Sequence, residues 1–177
     1  MAIDKGDEIL FFNALHRWWL NPLFVYATRL AEWPMVFFVI LVAYLKGWKK
    51  ALILAINLAV AGLVVNLCKL YFSGEHRPSV FFEGRASLNF IEGVEVLRNY
   101  SFPSGHTAVA FAMFYSMSMF FDDKKSAVLL FICALMVGIS RIYLMQHFLA
   151  DVFAGSLLAI LLVLLSTFAF SKISWFN

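Results

Sequence analysis

The sequence predicts an all-α fold: a polytopic membrane bundle of five or six crossing helices. Three observations carry that prediction. Hydrophobic residues make up 63% of the 177-residue chain, charged residues only 14%, and mean hydropathy is +0.83. Soluble chains are roughly half apolar and about a quarter charged. Apolar stretches near the ~20 residues a helix needs to cross a bilayer recur along the chain. Basic residues collect at alternate ends of those stretches, as membrane topology requires.

Taken in order, residues 8–20 come first. Phe11, Phe12, Leu15, Trp18 and Trp19 recur at helical spacing with Asn13, His16 and Arg17 between them. Residues 1–21 are therefore expected to hold an interfacial helix with Trp at headgroup depth, or a short sixth crossing. The first full span covers residues 22–45 and is interrupted by Arg29, Glu32 and Pro34, which predicts a kink. Arg29 and Glu32, three apart, are expected to pair and so ease their burial. The second span covers residues 50–72, where Asn57 and Asn66 are expected to join helices. Residues 73–103 form one long polar connection, expected to be an outer loop or lid, with Glu75, Glu83, Glu92 and Glu95 on a solvated face. Three further spans follow, at residues 104–121, 126–140 and 148–170. A turn over residues 141–147 separates the last two, since residues 125–170 are too long for one crossing. All of residues 1–177 read as a single membrane-embedded domain.

Lys46, Lys49 and Lys50, then Lys124 and Lys125, then Lys172 fall at span ends that share one face, assigned as cytoplasmic. The long loop and the 141–147 turn then face outward. Asp4, Asp7 and Glu8 stand where a cleavable signal would be positive, so internal spans are expected to direct insertion. The net charge of +3 comes without a basic stripe interleaved with aromatics, which argues against nucleic acid as a partner. Cys68 and Cys133 sit in apolar runs without zinc-ligand spacing and read as small apolar residues.

Three segments bring polar residues to the outer face. In Pro103-Ser104-Gly105-His106 the serine is a favoured N-cap before an apolar run, so the helix start offers free N–H groups and a positive dipole end to an anion. His106 can donate a proton there. The same segment also reads as a capped helix with a snorkelling histidine. In Ser140-Arg141 with His147 and Asp151, the histidine and carboxylate are four apart and are expected on one helix face. A carboxylate on one imidazole nitrogen fixes the tautomer and leaves the other nitrogen nucleophilic; a structural ion pair is the plainer alternative. Lys69, Arg77 and Arg141 together can hold a phosphoryl group, although Lys69 alone could simply snorkel from a span end.

These segments resemble the type-2 phosphatidic acid phosphatase family, whose signature is Lys-x6-Arg-Pro, Pro-Ser-Gly-His and Ser-Arg-x5-His-x3-Asp. The second part is complete at Pro103–His106 and the third at Ser140–Asp151. The first departs, with seven residues rather than six between Lys69 and Arg77; Gly74 lies in the insertion and can absorb it as a loop. The resemblance covers residues 50–170. It implies a phosphatase of a lipid phosphate or pyrophosphate, working without metal or cofactor in a bacterial inner membrane, its site facing outward. His147 would be the nucleophile that becomes phosphohistidine, Asp151 its orienting base, and His106 the acid. Lys69, Arg77, Ser104, Gly105 and Arg141 would bind the phosphoryl oxygens. The same residues would serve a phosphotransferase with a lipid acceptor, and a non-catalytic membrane protein with a vestigial site is the third reading.

Overall fold

The computed structural model describes residues 4–172 and contains eight helices and no strand among them. They are α1 (Asp7–Ala14), α2 (Asn21–Arg29), α3 (Trp33–Leu45), α4 (Trp48–Tyr71), α5 (Pro78–Phe81), α6 (Gly105–Ser118), α7 (Lys124–Tyr143) and α8 (Leu149–Ser171).

Three helices, α4, α7 and α8, are long and apolar enough to cross a membrane. The expected kink in the first span is a full break. The chain bends by 54° between α2 and α3, and the pair qualifies as one crossing only when taken together. Its cause is local: Glu32 is extended (φ −85°, ψ 160°) and Pro34 lies in the first turn of α3, where its missing N–H leaves no orphan. The outward faces of α3, α4, α7 and α8 carry exposed Phe37, Leu63, Phe131 and Phe168, which suits a lipid solvent.

The third predicted span differs most from expectation. α6 has 14 residues, about 21 Å at 1.5 Å per residue, and is the bundle's centre rather than one of its walls. It packs on α4, α7 and α8. Ala108, Ala110, Ala112, Met113 and Met117 are buried, and the alanines let neighbouring backbones come close. Asn57 does what the sequence suggested: its amide donates to Ser116 Oγ at 2.8 Å and its oxygen accepts from Ser166, tying α4 to α6 and α8. Asn66 does not. It is exposed and lines a cavity beside Lys69 instead.

Two ends of the bundle are distinct. At one, Lys46 lies over the Phe121 ring and Lys50 over Phe120, so the α3–α4 turn and the α6–α7 turn share a side, as their lysines predicted. At the other lie the C-termini of α4 and α7, the N-termini of α6 and α8, and the long loop. α1 is only about 12 Å long, too short alone for a crossing. It packs on α7. Asn13 exchanges hydrogen bonds with the Asn89 backbone, His16 Nε2 meets the Tyr143 carbonyl at 2.8 Å, and Glu8 accepts from Leu149 N at the start of α8.

The long loop is ordered by pairing of its two arms. Arg77 N donates to Arg98 O, Ser101 N to Glu75 O, and Ser79 Oγ to Leu97 O. Two of its four glutamates form ion pairs, Glu75 with Lys5 and Glu83 with Arg98, both pairs well exposed. Cys68 and Cys133 are free thiols.

Candidate active site

His147 is where the three segments meet. It precedes α8, which starts at Leu149, so the expected pairing on a helix face is instead a helix-start geometry. Asp151 sits in the first turn, and its Oδ2 reaches back to accept Phe148 N at 3.0 Å and to meet His147 Nδ1 at 3.4 Å. A third donor, Ser101 Oγ, binds the same oxygen at 2.5 Å. With the carboxylate on Nδ1, the proton of a neutral imidazole belongs there, and Nε2 carries the lone pair of a base or nucleophile. Arg77 Nη1 lies 3.2 Å from that Nε2.

Arg77 is itself buried and fixed by carbonyls. It donates to Asn99 O at 2.8 Å, Gln146 O at 2.9 Å and Tyr100 O at 3.4 Å. The insertion ahead of it does no harm. α4 ends at Tyr71, Phe72–Gly74 form a turn, and the extra residue falls where no helical phase has to be kept. Lys69 is therefore brought to the site. Its ammonium donates to Tyr100 O at 3.3 Å, and a Cβ placed on Gly105 would lie 3.9 Å from it.

Burial, first, and then the positive charges of Arg77, Arg141 and Lys69 hold the His147 imidazole well below its ordinary pKa of 6.5. That imidazole is consequently neutral at pH 7.

Arg141 lies in the last turn of α7 and is 6% exposed; its Nη1 donates to Thr28 Oγ1 at 2.7 Å, while its buried Nε has no hydrogen-bond partner among the described residues. Arg141 and His106 line one cavity of about 300 Å³, and Lys69 and Arg77 line another of about 520 Å³. Ser104 enters neither. It is fully buried, and its hydroxyl is spent on α6, sharing a hydrogen bond with Thr107 Oγ1 at 2.8 Å and accepting from Thr107 N. What its segment offers an anion is thus the helix start, Gly105 and His106, rather than the serine side chain.

Four contributors escaped the sequence reading. Thr28, Ser101 and Gln146 are polar residues without a motif, known as partners only from the fold. Gly155 is the exception, since a small residue one turn after Asp151 on the same face is a visible signal of close packing. A Cβ there would meet the Ser104 carbonyl oxygen at 2.6 Å, so only glycine lets α8 touch the backbone of the Pro103–His106 segment. Ser104 N donates to Asp151 O at 3.0 Å across that contact. Among the described residues no three His, Cys, Asp or Glu side chains converge as a metal-binding group.

The family model described as the PAP2 superfamily matches residues 50–175. The bacitracin transport permease protein BcrC of Bacillus licheniformis is 29% identical over 175 residues, 97% of this chain and 83% of that protein. The lipid A 1-phosphatase of Rhizobium johnstonii is 30% identical over 113 residues, 63% of this chain but only 44% of that protein. The crystal structure of Aquifex aeolicus LpxE superposes with a TM-score of 0.83 at 25% identity, covering 94% of this chain and 96% of LpxE. The PAP2-type phosphatidylglycerolphosphate phosphatase of Bacillus subtilis shares the fold, with a TM-score of 0.78 at 24% identity over 96% of this chain and 86% of that one. A match across the α4–α8 bundle, together with a buried His–Asp pair at the helix ends where the signature segments converge, leads to one conclusion: the chain belongs to the PAP2 superfamily.

Proposed function

We propose that this protein is an integral-membrane phosphatase that hydrolyses a lipid phosphate or pyrophosphate through a phosphohistidine, without a metal. The observation that carries the reading is His147: buried, neutral, oriented by Asp151 through Nδ1 and facing a guanidinium through Nε2. A soluble phosphate ester needs no such site among lipid-facing helices, and lipid phosphatases stand among its relatives and structural neighbours.

In the first step Nε2 of His147 attacks phosphorus. The bond from phosphorus to the leaving oxygen breaks, and that oxygen keeps the electron pair and takes a proton from His106. An incoming phosphoryl oxygen takes over the Arg77 N–H that otherwise faces Nε2, which frees the lone pair at the moment of need. Arg77, Arg141, Lys69 and the N–H groups at the start of α6 offset the charge on the equatorial oxygens. In the second step water attacks phosphorus and gives a proton to His106, the N–P bond breaks with its electron pair returning to Nε2, and phosphate leaves. Asp151 holds the imidazole tautomer through both steps.

The bundle is read as five crossings. The bent α2–α3 pair, α4, α7 and α8 are joined by α6, whose two ends reach the lysine-rich turn and the site. α1 lies along the interface. The site end is placed outward, in a bacterial inner membrane, because the lysine turns occupy the other end.

The test is phosphate release from lipid phosphates by detergent-purified protein with EDTA present, alongside His147→Ala and His106→Ala. The expected result is turnover with EDTA and losses of at least about a hundredfold in both variants. EDTA-sensitive turnover removes the metal-free mechanism. Activity appearing only when a lipid acceptor is added converts the reading to phosphotransfer. Unaltered activity in His147→Ala would sink a catalytic role and leave the transport named for one relative.

A further inference from the structure

Two non-glycine residues among those described have a left-handed backbone, Tyr100 (φ 58°) and Met145 (φ 57°). For side chains of that size the conformation is an outlier, and it persists where the surrounding structure over-determines it, often beside a functional site. Both turns lead to Arg77, the guanidinium that faces His147. Met145 stands two residues before His147, in the turn that closes α7, where glycine is the usual residue. The Gln146 N–H donates to the Arg141 carbonyl at 2.9 Å and the Met145 N–H to the Ile142 carbonyl at 3.0 Å, the paired bonds of a helix end closed by a left-handed residue. Tyr100 stands opposite, in the returning arm of the long loop.

Carbonyls from the two turns converge on Arg77. Asn99 O accepts from Nε at 2.8 Å and Tyr100 O from Nη2 at 3.4 Å, while Gln146 O accepts from Nη1 at 2.9 Å. A guanidinium carries one N–H on Nε and a pair on each terminal nitrogen. Main chain thus holds one N–H of every nitrogen, and a second on Nη1 and on Nη2 is left for phosphoryl oxygens. The Tyr100 oxygen also accepts from Lys69 Nζ at 3.3 Å. Two cations that repel each other are therefore held against one carbonyl dipole, which sets their spacing. The next residue, Ser101, donates through its hydroxyl to Asp151. The tyrosine side chain does nothing comparable. Its ring is 47% exposed, and among the described residues its hydroxyl makes no hydrogen bond.

We propose that Tyr100 is a positioning residue that acts through its main chain: the left-handed turn there aims one carbonyl at both Arg77 and Lys69 and so sets the two cations for the phosphoryl group. The inference rests on the phosphatase reading and adds to it a residue that lies in none of the three motifs. The position then demands a backbone conformation rather than a phenol. Glycine and asparagine enter the left-handed region readily. A β-branched side chain does so least well, and valine would drive the chain toward extended conformations that turn the carbonyl away from the cations. Met145 makes the matching turn, but it is only 2% exposed and also fills the core. Tyr100 is therefore the place where the demands of backbone and side chain can be separated.

The experiment measures kcat and KM for phosphate release in detergent micelles from phosphatidic acid, phosphatidylglycerol phosphate and a polyprenyl diphosphate. Wild type is compared with Tyr100→Phe, Tyr100→Asn, Tyr100→Gly and Tyr100→Val, with gel-filtration profiles to establish folding. On the substrate that wild type turns over fastest, Tyr100→Phe, Tyr100→Asn and Tyr100→Gly should keep kcat/KM within about threefold, while Tyr100→Val should lose about tenfold or more through misplaced cations. The loss should also depend on Arg77. In an Arg77→Lys background, where the fork is already gone, Tyr100→Val should cost no more than about threefold further. A merely structural role would give the same loss in both backgrounds. If Tyr100→Val does not fold, Tyr100→Asn and Tyr100→Gly decide: activity kept in both upholds the turn. Losses of about tenfold in these two with Tyr100→Phe unchanged assign the role to the ring and overturn the proposal. A folded Tyr100→Val within about threefold of wild type, or an equal loss in both backgrounds, overturns it too and leaves the phosphatase reading intact. A wild type inert on all three substrates overturns the phosphatase reading and the positioning role with it.

Discussion

Replacing Gly155 by alanine puts one methyl group where α8 touches the Pro103–His106 segment. The added Cβ would sit 2.6 Å from the Ser104 carbonyl oxygen, about 0.8 Å short of ordinary contact at 3.4 Å. The neighbour is backbone, so no side chain can swing aside. Separation by that amount would stretch the Ser104 N to Asp151 O bond from 3.0 Å to beyond hydrogen-bonding range. It would also part the two sides of the site, because Asp151 rides on α8 and His106 on α6. Misplacement by ~1 Å can lower a rate by about a hundredfold, so kcat is expected to fall between about tenfold and a hundredfold. Overpacking should lower stability by roughly 1–3 kcal/mol.

Helix propensity alone predicts the opposite sign, a gain near 1 kcal/mol for glycine to alanine in a helix interior. Gly62→Ala in α4 is therefore the matched control, since a Cβ there meets nothing within 4 Å. The assay is the initial rate of phosphate release over a range of lipid concentrations, with thermal unfolding followed in the same detergent. If Gly155→Ala retains wild-type kcat and melts no lower than Gly62→Ala, the close approach of α8 to the motif is not what positions the site.

Further expectations follow from individual contacts. Ser101→Ala removes one of three donors on Asp151 Oδ2. It should reduce kcat by about tenfold with little change in KM, on the scale of one hydrogen bond to a charged group; kcat within twofold of wild type would show that Phe148 N and His147 suffice to fix the carboxylate. The depressed pKa of His147 makes stability depend on pH: above 6.5 folded and unfolded chains are both neutral at this residue, while below it only the unfolded chain takes up the proton. Melting temperature should therefore fall as pH drops below 6.5, more steeply in wild type than in His147→Gln, and equal slopes would contradict the burial and cation effect. Asn57→Ala breaks the bonds to Ser116 and Ser166 far from the site. It should lower stability by about 1 kcal/mol, near the range for interhelical hydrogen bonds in membranes, with kcat unchanged; a large loss of kcat would mean that α6 transmits its position to His106.

Much of the architecture was legible because lipid imposes strict rules on sequence. α4, α7 and α8 are long apolar runs, and nothing but length and polarity was needed to find them. The break after Arg29 was legible from Glu32 and Pro34. α6 was legible as a helix but not as the bundle's centre, since a buried central helix and a lipid-facing span are equally apolar; its depth is set by the neighbours that cover Ala108, Ala110 and Ala112. His106, Arg141, His147 and Asp151 could be named as candidates from their motifs, because each motif is short and its residues stay near each other whatever the fold does. Roles that depend on where a side chain turns were not fixed in that way: Ser104 is the N-cap its motif predicted, but its burial came only from the fold, and Asn66 is a cavity residue rather than an interhelical tie.

The sequence by itself determined the solvent, the helical class, and the chemical identity of the groups at one end of the bundle, since hydropathy and motif spacing are local properties of the chain. Tertiary structure decided which partners complete those groups. Ser101 reaches Asp151 across 50 positions, Arg77 reaches His147 across 70, and Thr28 reaches Arg141 across 113. It also decided that Arg29 and Glu32 face a cavity rather than each other. Contacts of that span depend on how helices pack and on where glycine lets them touch, and neither is written in the neighbourhood of any one residue.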